Sequence, residues 1–172
     1  GEEAEALQEA GVAFEVVPGI SSALAVPAYA GIPVTHRGLS SSVAVVTGTR
    51  ADGEAHAPSP AAHAAAADTV VILLGVARLR QIADELIAAG RSADTPAAVI
   101  RWGTYEGQQT VTGTLRTIGD EAEREGLRAP AVIVVGEVVS LRRQLAWFEH
   151  RSADRALDEF EDELETAAVT AR

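Results

Sequence analysis

The chain has 172 residues, which is enough for one domain with a sizeable core, and its composition is ordinary for a globular protein at 47% hydrophobic and 23% charged residues. It contains no cysteine, so disulfides, thiolate metal sites and cysteine nucleophiles are excluded. The net charge of −11 and the lack of Lys/Arg clusters argue against a nucleic-acid-binding face. No apolar run approaches membrane-spanning length, and we expect a cytoplasmic protein.

The first part of the chain predicts a helix, a strand, a second helix and a second strand. Residues 2–10 have a helical pattern that Gly11 ends, and residues 14–17 form a short β-branched run that should be a buried strand. Pro18 and Gly19 end this strand. Residues 21–31 are alanine-rich and helical, with a kink expected at Pro27. Residues 42–47 are the next apolar strand.

The rest of the chain alternates strands and helices. Residues 50–60 are rich in Gly, Pro and charge and predict a mobile loop, whereas residues 79–87 carry apolar side chains at helical spacing. Further strands are expected at 69–74, 96–101, 109–113 and 131–135, and further helical segments at 60–67, 117–125 and 141–148. The alternation predicts an α/β fold with a mixed, mostly parallel sheet flanked by helices, in which 96–101 and 109–113 form a hairpin. Residues 150–172 are strongly acidic and predict a solvated tail.

Residues 14–38 read FEVVPGISSALAVPAYAGIPVTHRG and form the most distinctive stretch. A turn at Pro18 and Gly19 lets a ligand approach the backbone, and Ser21 or Ser22 can cap the following helix. This stretch resembles the junction segment of the uroporphyrinogen-III C-methyltransferases, which are tetrapyrrole (class III) methylases. The resemblance continues through VVILLGV (70–76), PAAVIRWGT (96–104), QQTVTGTL (108–115) and PAVIVVGEVVSLRRQLAWF (130–148).

The resemblance implies a site for S-adenosylmethionine, the methyl donor of that family. The positions it marks as cofactor-binding are Ser21, Ser22, Leu74, Gly103 and Ala131. Read without the resemblance, the serines are helix caps, Leu74 is a core residue and Gly103 is a turn glycine. Strand ends are nevertheless where α/β sheets bind ligands.

The resemblance also implies that Thr35, His36 and Arg37 recognise the substrate. Uroporphyrinogen III carries eight carboxylates, which need cationic partners in an otherwise acidic chain. Without the resemblance, the histidine is a surface residue and the arginine forms an exposed ion pair. The histidines lack the spacing of metal ligands, so no metal is predicted.

The implied activity is methylation of two ring carbons of uroporphyrinogen III, giving precorrin-2 for sirohaem and cobalamin synthesis. The family's glycine-proline-rich first loop and acidic catalytic residue are not found in the sequence, so the catalytic base stays unknown. We therefore interpret residues 1–12 as the end of a linker helix, 13–149 as a C-terminal methylase domain and 150–172 as a tail, and we expect the chain alone to be nearly inactive. Family members form homodimers. The alternatives are another precorrin methyltransferase and a non-catalytic α/β or dimerisation module.

Overall fold

A five-stranded sheet lies at the centre of the computed structural model, which describes residues 1–49 and 60–149. The strands are β1 (Val43–Thr47), β2 (Thr69–Leu73), β3 (Pro96–Arg101), β4 (Gln109–Thr114) and β5 (Ala131–Val135). Their order in the sheet is β1-β2-β5-β3-β4, so the last strand of the chain is the central one. Five predicted strands are thereby confirmed within one residue. The predicted loop at 50–60, apart from Pro60, and the predicted tail at 150–172 lie outside the described residues.

The described ranges contain six α-helices. They are α1 (Glu2–Glu9), α2 (Ser22–Tyr29), α3 (Pro60–His63), α4 (Leu79–Ala88), α5 (Ile118–Arg124) and α6 (Arg142–Leu145), with 3₁₀ turns at Val76–Arg78 and Glu137–Leu141. Pro27 lies inside α2, as the sequence predicts. No helix among residues 1–49 and 60–149 combines the length and the apolar character that crossing a bilayer requires.

The directions of the strands correct one prediction. The sheet is mixed, but a mostly parallel arrangement was wrong, because among the described strands only β1 and β2 pair in parallel. The pairs β2–β5, β5–β3 and β3–β4 are all antiparallel. Strand β5 lies between β2 and β3 and runs antiparallel to both. The prediction failed because an apolar run does not show in which direction a strand will run in the sheet. The β3–β4 hairpin is confirmed.

Each face of the sheet buries its own apolar cluster, because successive side chains of a strand point to opposite faces. On one face, Ile72, Val99 and Ile133 pack with Leu86 of α4 and Ile118 of α5. On the other face, the side chains of the sheet pack with α2 and the 3₁₀ turn before α6; they include Val71, Ile100, Val134, Val26 and Val138. Each fully buried aliphatic side chain contributes roughly 1.5–3 kcal/mol, so both faces stabilise the sheet.

Residues 14–17 do not form the buried strand that their composition predicts. Phe14, Val16 and Val17 are 41%, 79% and 84% exposed, and no strand of the described chain pairs with them. β-Branched composition reports what suits a half-buried pleated surface, whereas pairing depends on which backbone lies alongside. The segment therefore leaves several large apolar side chains on the surface.

Asp68 fastens the start of β2 to the start of β1. Its Oδ2 accepts hydrogen bonds from the amides of Ser41 (2.8 Å) and Ser42 (3.0 Å) and from both serine hydroxyls at 3.0 Å. The Ser41 amide, the two hydroxyls and the Ser42 amide together lower the pKa of Asp68 from 3.8 to about 2. The ionised carboxylate is the form that the fold prefers.

The stability of the chain should fall in acid through Asp68. A carboxylate with a lowered folded-state pKa contributes stability above its unfolded pKa, and this contribution is lost as the pH falls from about 4 towards 2. Replacing Asp68→Asn should therefore destabilise the chain above pH 4, and the difference from the wild type should shrink towards pH 2. Urea unfolding between pH 2 and 6 measures this, with Asp94→Asn as the exposed control. A pH-independent difference would contradict the assignment.

Candidate functional site

A cavity of about 790 Å³ opens at one end of the sheet. Strand β5 is antiparallel to both β2 and β3, so the carboxyl ends of β1, β2 and β3 meet the beginning of β5 at this end. The cavity is lined accordingly by Thr47, Leu73, Ile100 and Ala131. Strand ends of this kind are the usual ligand sites of α/β sheets. The fold therefore provides a pocket of the size that small ligands occupy.

The wall of this cavity is largely apolar. Its polar side chains are the hydroxyls of Ser22, Thr47, Thr49 and Tyr105 and the indole of Trp102. None of the described residues that line it carries a formal charge. Such a surface suits a flat, uncharged ring system with a few hydrogen-bonding edges rather than a phosphate or a carboxylate.

Two lining residues that follow strands adopt left-handed backbone conformations. Leu74, after β2, has φ of 56°, and Trp102, after β3, has φ of 47°. This region is costly for side chains other than glycine, and such residues cluster at functional sites. Leu74 is also 72% exposed, so it is not held there by burial of its own side chain. The backbone strain at both strand ends supports a binding role for this edge.

Gly103 allows α2 to approach the loop after β3. A Cβ at this position would lie 2.4 Å and 2.6 Å from the two γ-carbons of Val26 and 2.8 Å from its Cβ. The space beside the glycine is therefore filled by helix α2. Gly103 still lines the cavity, together with Val26.

Four of the five predicted cofactor residues line this one cavity. They are Ser22, Leu74, Gly103 and Ala131. Ser21 is not among the lining residues. Its Oγ accepts a hydrogen bond from the amide of Ala23 at 3.2 Å and so caps α2, as the sequence also allowed. A contact of Ser21 with a ligand stays a prediction.

The predicted substrate residues lie elsewhere. Thr35, His36 and Arg37 are exposed, and His36 begins a tight turn in which its amide donates to the carbonyl of Ser40 at 3.0 Å. This turn leads into the beginning of β1, whereas the cavity lies at its end. At about 3.3 Å per residue, the five residues of β1 separate the two by roughly 13 Å. The structure does not bring these three residues into the cavity.

Sequence reasoning missed several lining residues. Thr47 is the last residue of β1 and Thr49 comes shortly after it, while Trp102 and Tyr105 follow β3. Their position at the carboxyl ends of apolar strands was a usable signal, because the ends of neighbouring strands converge in an α/β sheet. Val26 carried no such signal, since it appeared only as one apolar residue of a helix.

Comparison with known protein families shows to which family the sequence belongs. The sequence model of the tetrapyrrole (corrin/porphyrin) methylases matches residues 1–119. The chain belongs to the tetrapyrrole methylase family. Three of the methylase-like segments named from the sequence, 70–76, 96–104 and 130–148, contain strand ends that line the cavity.

Two known proteins are similar to most of this chain. The uroporphyrinogen-III C-methyltransferase of Bacillus subtilis (strain 168) is 43% identical over 159 residues, which is 92% of this chain and 62% of that protein. A siroheme synthase of Stutzerimonas stutzeri (strain A1501) is 48% identical over 153 residues, 89% of this chain and 33% of that protein. The chain thus spans less than two thirds of either relative.

A solved methylase has the same fold. The uroporphyrin-III C-methyl transferase of Thermus thermophilus, complexed with S-adenyl homocysteine, superposes with a TM-score of 0.68 at 34% identity. The match covers 81% of this chain and 60% of that one.

Proposed function

We propose that this chain is the part of an S-adenosylmethionine-dependent methyltransferase that holds the nucleoside of the methyl donor. The whole enzyme would methylate uroporphyrinogen III to precorrin-2, which serves sirohaem and cobalamin synthesis. One observation carries the proposal: a single cavity gathers Ser22, Leu74, Gly103 and Ala131, which lie far apart in the sequence. The similarity to uroporphyrinogen-III C-methyltransferases supports it.

The cavity fits the donor in size and chemistry. Its volume of about 790 Å³ lies within the range of small-molecule pockets. The side chain of Leu74 and the backbone beside Ala131 would flank the adenine, while the hydroxyls of Ser22 and Thr47 would serve the ribose and its neighbours. The uncharged lining implies that the amino-acid end of the donor is held by groups outside this wall.

The residues of the chain would contribute to catalysis by positioning the methyl donor. When bound, S-adenosylmethionine supplies an already activated methyl group. Leu74 and Trp102 would shield the nucleoside from water, and the loop after β3 would flank it. Orientation of this kind can supply much of a rate enhancement. We assign no catalytic base to this chain.

The chain would provide one wall of a larger cleft. We propose the division into 1–12 as linker helix, 13–149 as C-terminal methylase domain and 150–172 as tail. The exposed apolar side chains at 14–20, with Ile20 89% exposed, support a further domain beside them. The chain alone should then bind the donor and turn over little substrate.

The remaining features of the proposal concern substrate, assembly and location. The exposed turn with Thr35, His36 and Arg37 would meet substrate carboxylates at a distance from the donor, as a macrocycle with eight carboxylates permits. We further propose a homodimer in the cytoplasm, which is the expectation from the family resemblance.

The 172-residue chain should bind S-adenosylhomocysteine, the demethylated donor. Calorimetric titration should show saturable binding in the micromolar range, with a negative heat-capacity change from apolar burial. Replacing Leu74→Asp places a charge in the uncharged wall and should weaken binding about tenfold. Aspartate tolerates the left-handed conformation at this position, so the fold should persist.

Leu39→Asp is the matched control for this titration. Leu39 is also an exposed leucine but lies in the turn that precedes β1, away from the cavity. Its replacement should leave the affinity unchanged. If the wild-type chain binds no S-adenosylhomocysteine, the proposal fails and a non-catalytic module is favoured.

A further inference from the structure

Glu149 contacts two segments that each lead to the cavity. Its Oε1 accepts hydrogen bonds from Nε2 of Gln108 at 3.1 Å and from Oγ1 of Thr110 at 2.5 Å. Its Oε2 forms an ion pair with Arg142. One carboxylate therefore joins the start of β4 to the start of α6.

On one side, Gln108 passes this contact to the cavity loop, defined as residues 102–108. Gln108 is only 8% exposed, and its Oε1 accepts the amide of Thr104 at 2.9 Å. Thr104 has φ of 75° and directly follows Gly103, so this hydrogen bond supports an unfavourable backbone conformation. The amide of Gln108 also donates to the carbonyl of Tyr105 at 2.9 Å. Both polar atoms of the Gln108 side-chain amide are therefore used: the oxygen accepts from the cavity loop, and the nitrogen donates to Glu149.

On the other side, Arg142 passes the contact to α2. Its Nη1 donates to the carbonyl of Ala30, the C-cap of α2, at 2.7 Å. The indole of Trp147 donates to the carbonyl of Ala28 at 3.1 Å and packs against Tyr29 with ring centroids 5.0 Å apart. The eight residues of α2 span only about 12 Å, so the held end lies one short helix away from Ser22 and Val26 at the cavity.

The surroundings of Glu149 keep it charged. The side chains of Arg142 and Glu149 are 16% and 27% exposed, so solvent ions screen the pair weakly. Burial alone would raise the pKa of Glu149, but the hydrogen bonds from Thr110, Gln108 and Arg142 outweigh it and leave this pKa below its ordinary value. At neutral pH the carboxylate can therefore hold all three donors at once.

We propose that Glu149 is a positioning residue of the donor site, which holds the cavity loop and α2 in fixed relation through Gln108 and Arg142. The part of this proposal that concerns donor affinity rests on the proposed function. The part that concerns the two segments does not, because it is a statement about the protein alone.

Amide hydrogen exchange of the full chain tests the positioning role without a ligand. In Glu149→Ala, exchange should become faster in residues 102–108 and in residues 26–31 together, while β3 and β5 keep their protection. Glu149→Gln keeps the hydrogen-bonding oxygen but loses the charge, so its effect should be intermediate and should fall mainly on 26–31. Unchanged exchange in either segment would overturn the proposal.

Titration with S-adenosylhomocysteine adds the functional readout. Glu149→Ala should bind about tenfold more weakly than the wild type, and Glu149→Gln should lie between them. Thr69→Val is the stability-matched control, because it removes a buried hydrogen bond to Ser40 (2.8 Å) at the far end of β2. It should lower the melting temperature and leave both the affinity and the exchange of residues 102–108 unchanged.

The outcomes separate the two proposals. If the wild-type chain binds and Glu149→Ala binds equally well, Glu149 has no positioning role. If Thr69→Val weakens binding as much as Glu149→Ala does, the effect of Glu149 is general stability, and the proposal is overturned. If the wild-type chain does not bind at all, the proposed function fails, and the exchange pattern still decides whether Glu149 holds the two segments.

Discussion

Replacing Gly103→Ala should weaken binding of S-adenosylhomocysteine by about one to two orders of magnitude, which corresponds to a loss of about 1.4–2.8 kcal/mol in binding free energy. The added methyl group would lie 2.4–2.8 Å from three atoms of Val26. Valine is β-branched and stiff, so helix α2 or the cavity loop has to move instead. We also expect a loss of about 1–3 kcal/mol in unfolding free energy, which is typical of overpacking.

A compensating substitution makes this test specific. Val26→Ala removes the two closest carbon atoms and should by itself destabilise the chain through the space that it leaves. In the double variant the added and the removed methyl groups offset each other, so both affinity and stability should recover in part. Such non-additivity is expected only of residues in contact. Additive losses in the double variant would contradict the packing of α2 against Gly103.

Replacing Gly31→Ala should destabilise the chain by about 2–4 kcal/mol, because backbone strain and a steric clash add. Gly31 has φ of +71°, and a Cβ there would lie 2.4 Å from the carbonyl oxygen of Leu145 and 2.5 Å from the amide nitrogen of Ala146. These are backbone atoms that cannot rotate away. The segment around Trp147 should separate from the end of α2.

Gly38→Ala is the control for Gly31. Gly38 has φ of +84°, but a Cβ added to it would meet no atom of the described residues within 4 Å apart from its own chain neighbours, so only the backbone strain applies, about 1 kcal/mol. Urea unfolding of both variants, followed by tryptophan fluorescence, compares the two losses. Equal losses would mean that residues 142–147 do not pack against α2 in solution.

Most of the sheet and helices could be predicted because their signals are local. The apolar runs of β2 and β5 and the helical spacing of α4 gave these elements almost to the residue. Strand direction could not be predicted in the same way. A run such as AVIVV is equally apolar whether its neighbours run with it or against it, and the position of β5 depends on the whole chain. The prediction of a strand at 14–17 was wrong for a related reason, since a strand also needs a neighbouring strand to pair with.

The candidate site also combines residues that local sequence could mark with contacts that only the fold creates. The resemblance marked Leu74, Gly103 and Ala131 because they sit in recognisable segments, and the structure brings them together with Ser22. The contact of Gly103 with Val26 could not be foreseen, since it joins residues 77 positions apart in the sequence through helix packing. The role proposed for Glu149 could not be predicted either, because its partners Gln108, Thr110 and Arg142 are distant or unremarkable in the sequence.

The central place of β5 has a consequence for synthesis on the ribosome. Residues 131–135 are made after every other strand of the described sheet, yet they pair with β2 on one side and β3 on the other. Until they emerge, two apolar edges stay open, and these are the edges along which nascent chains associate wrongly. A ribosome that pauses before Ala131 would hold a chain that has neither a complete sheet nor the cavity at its end.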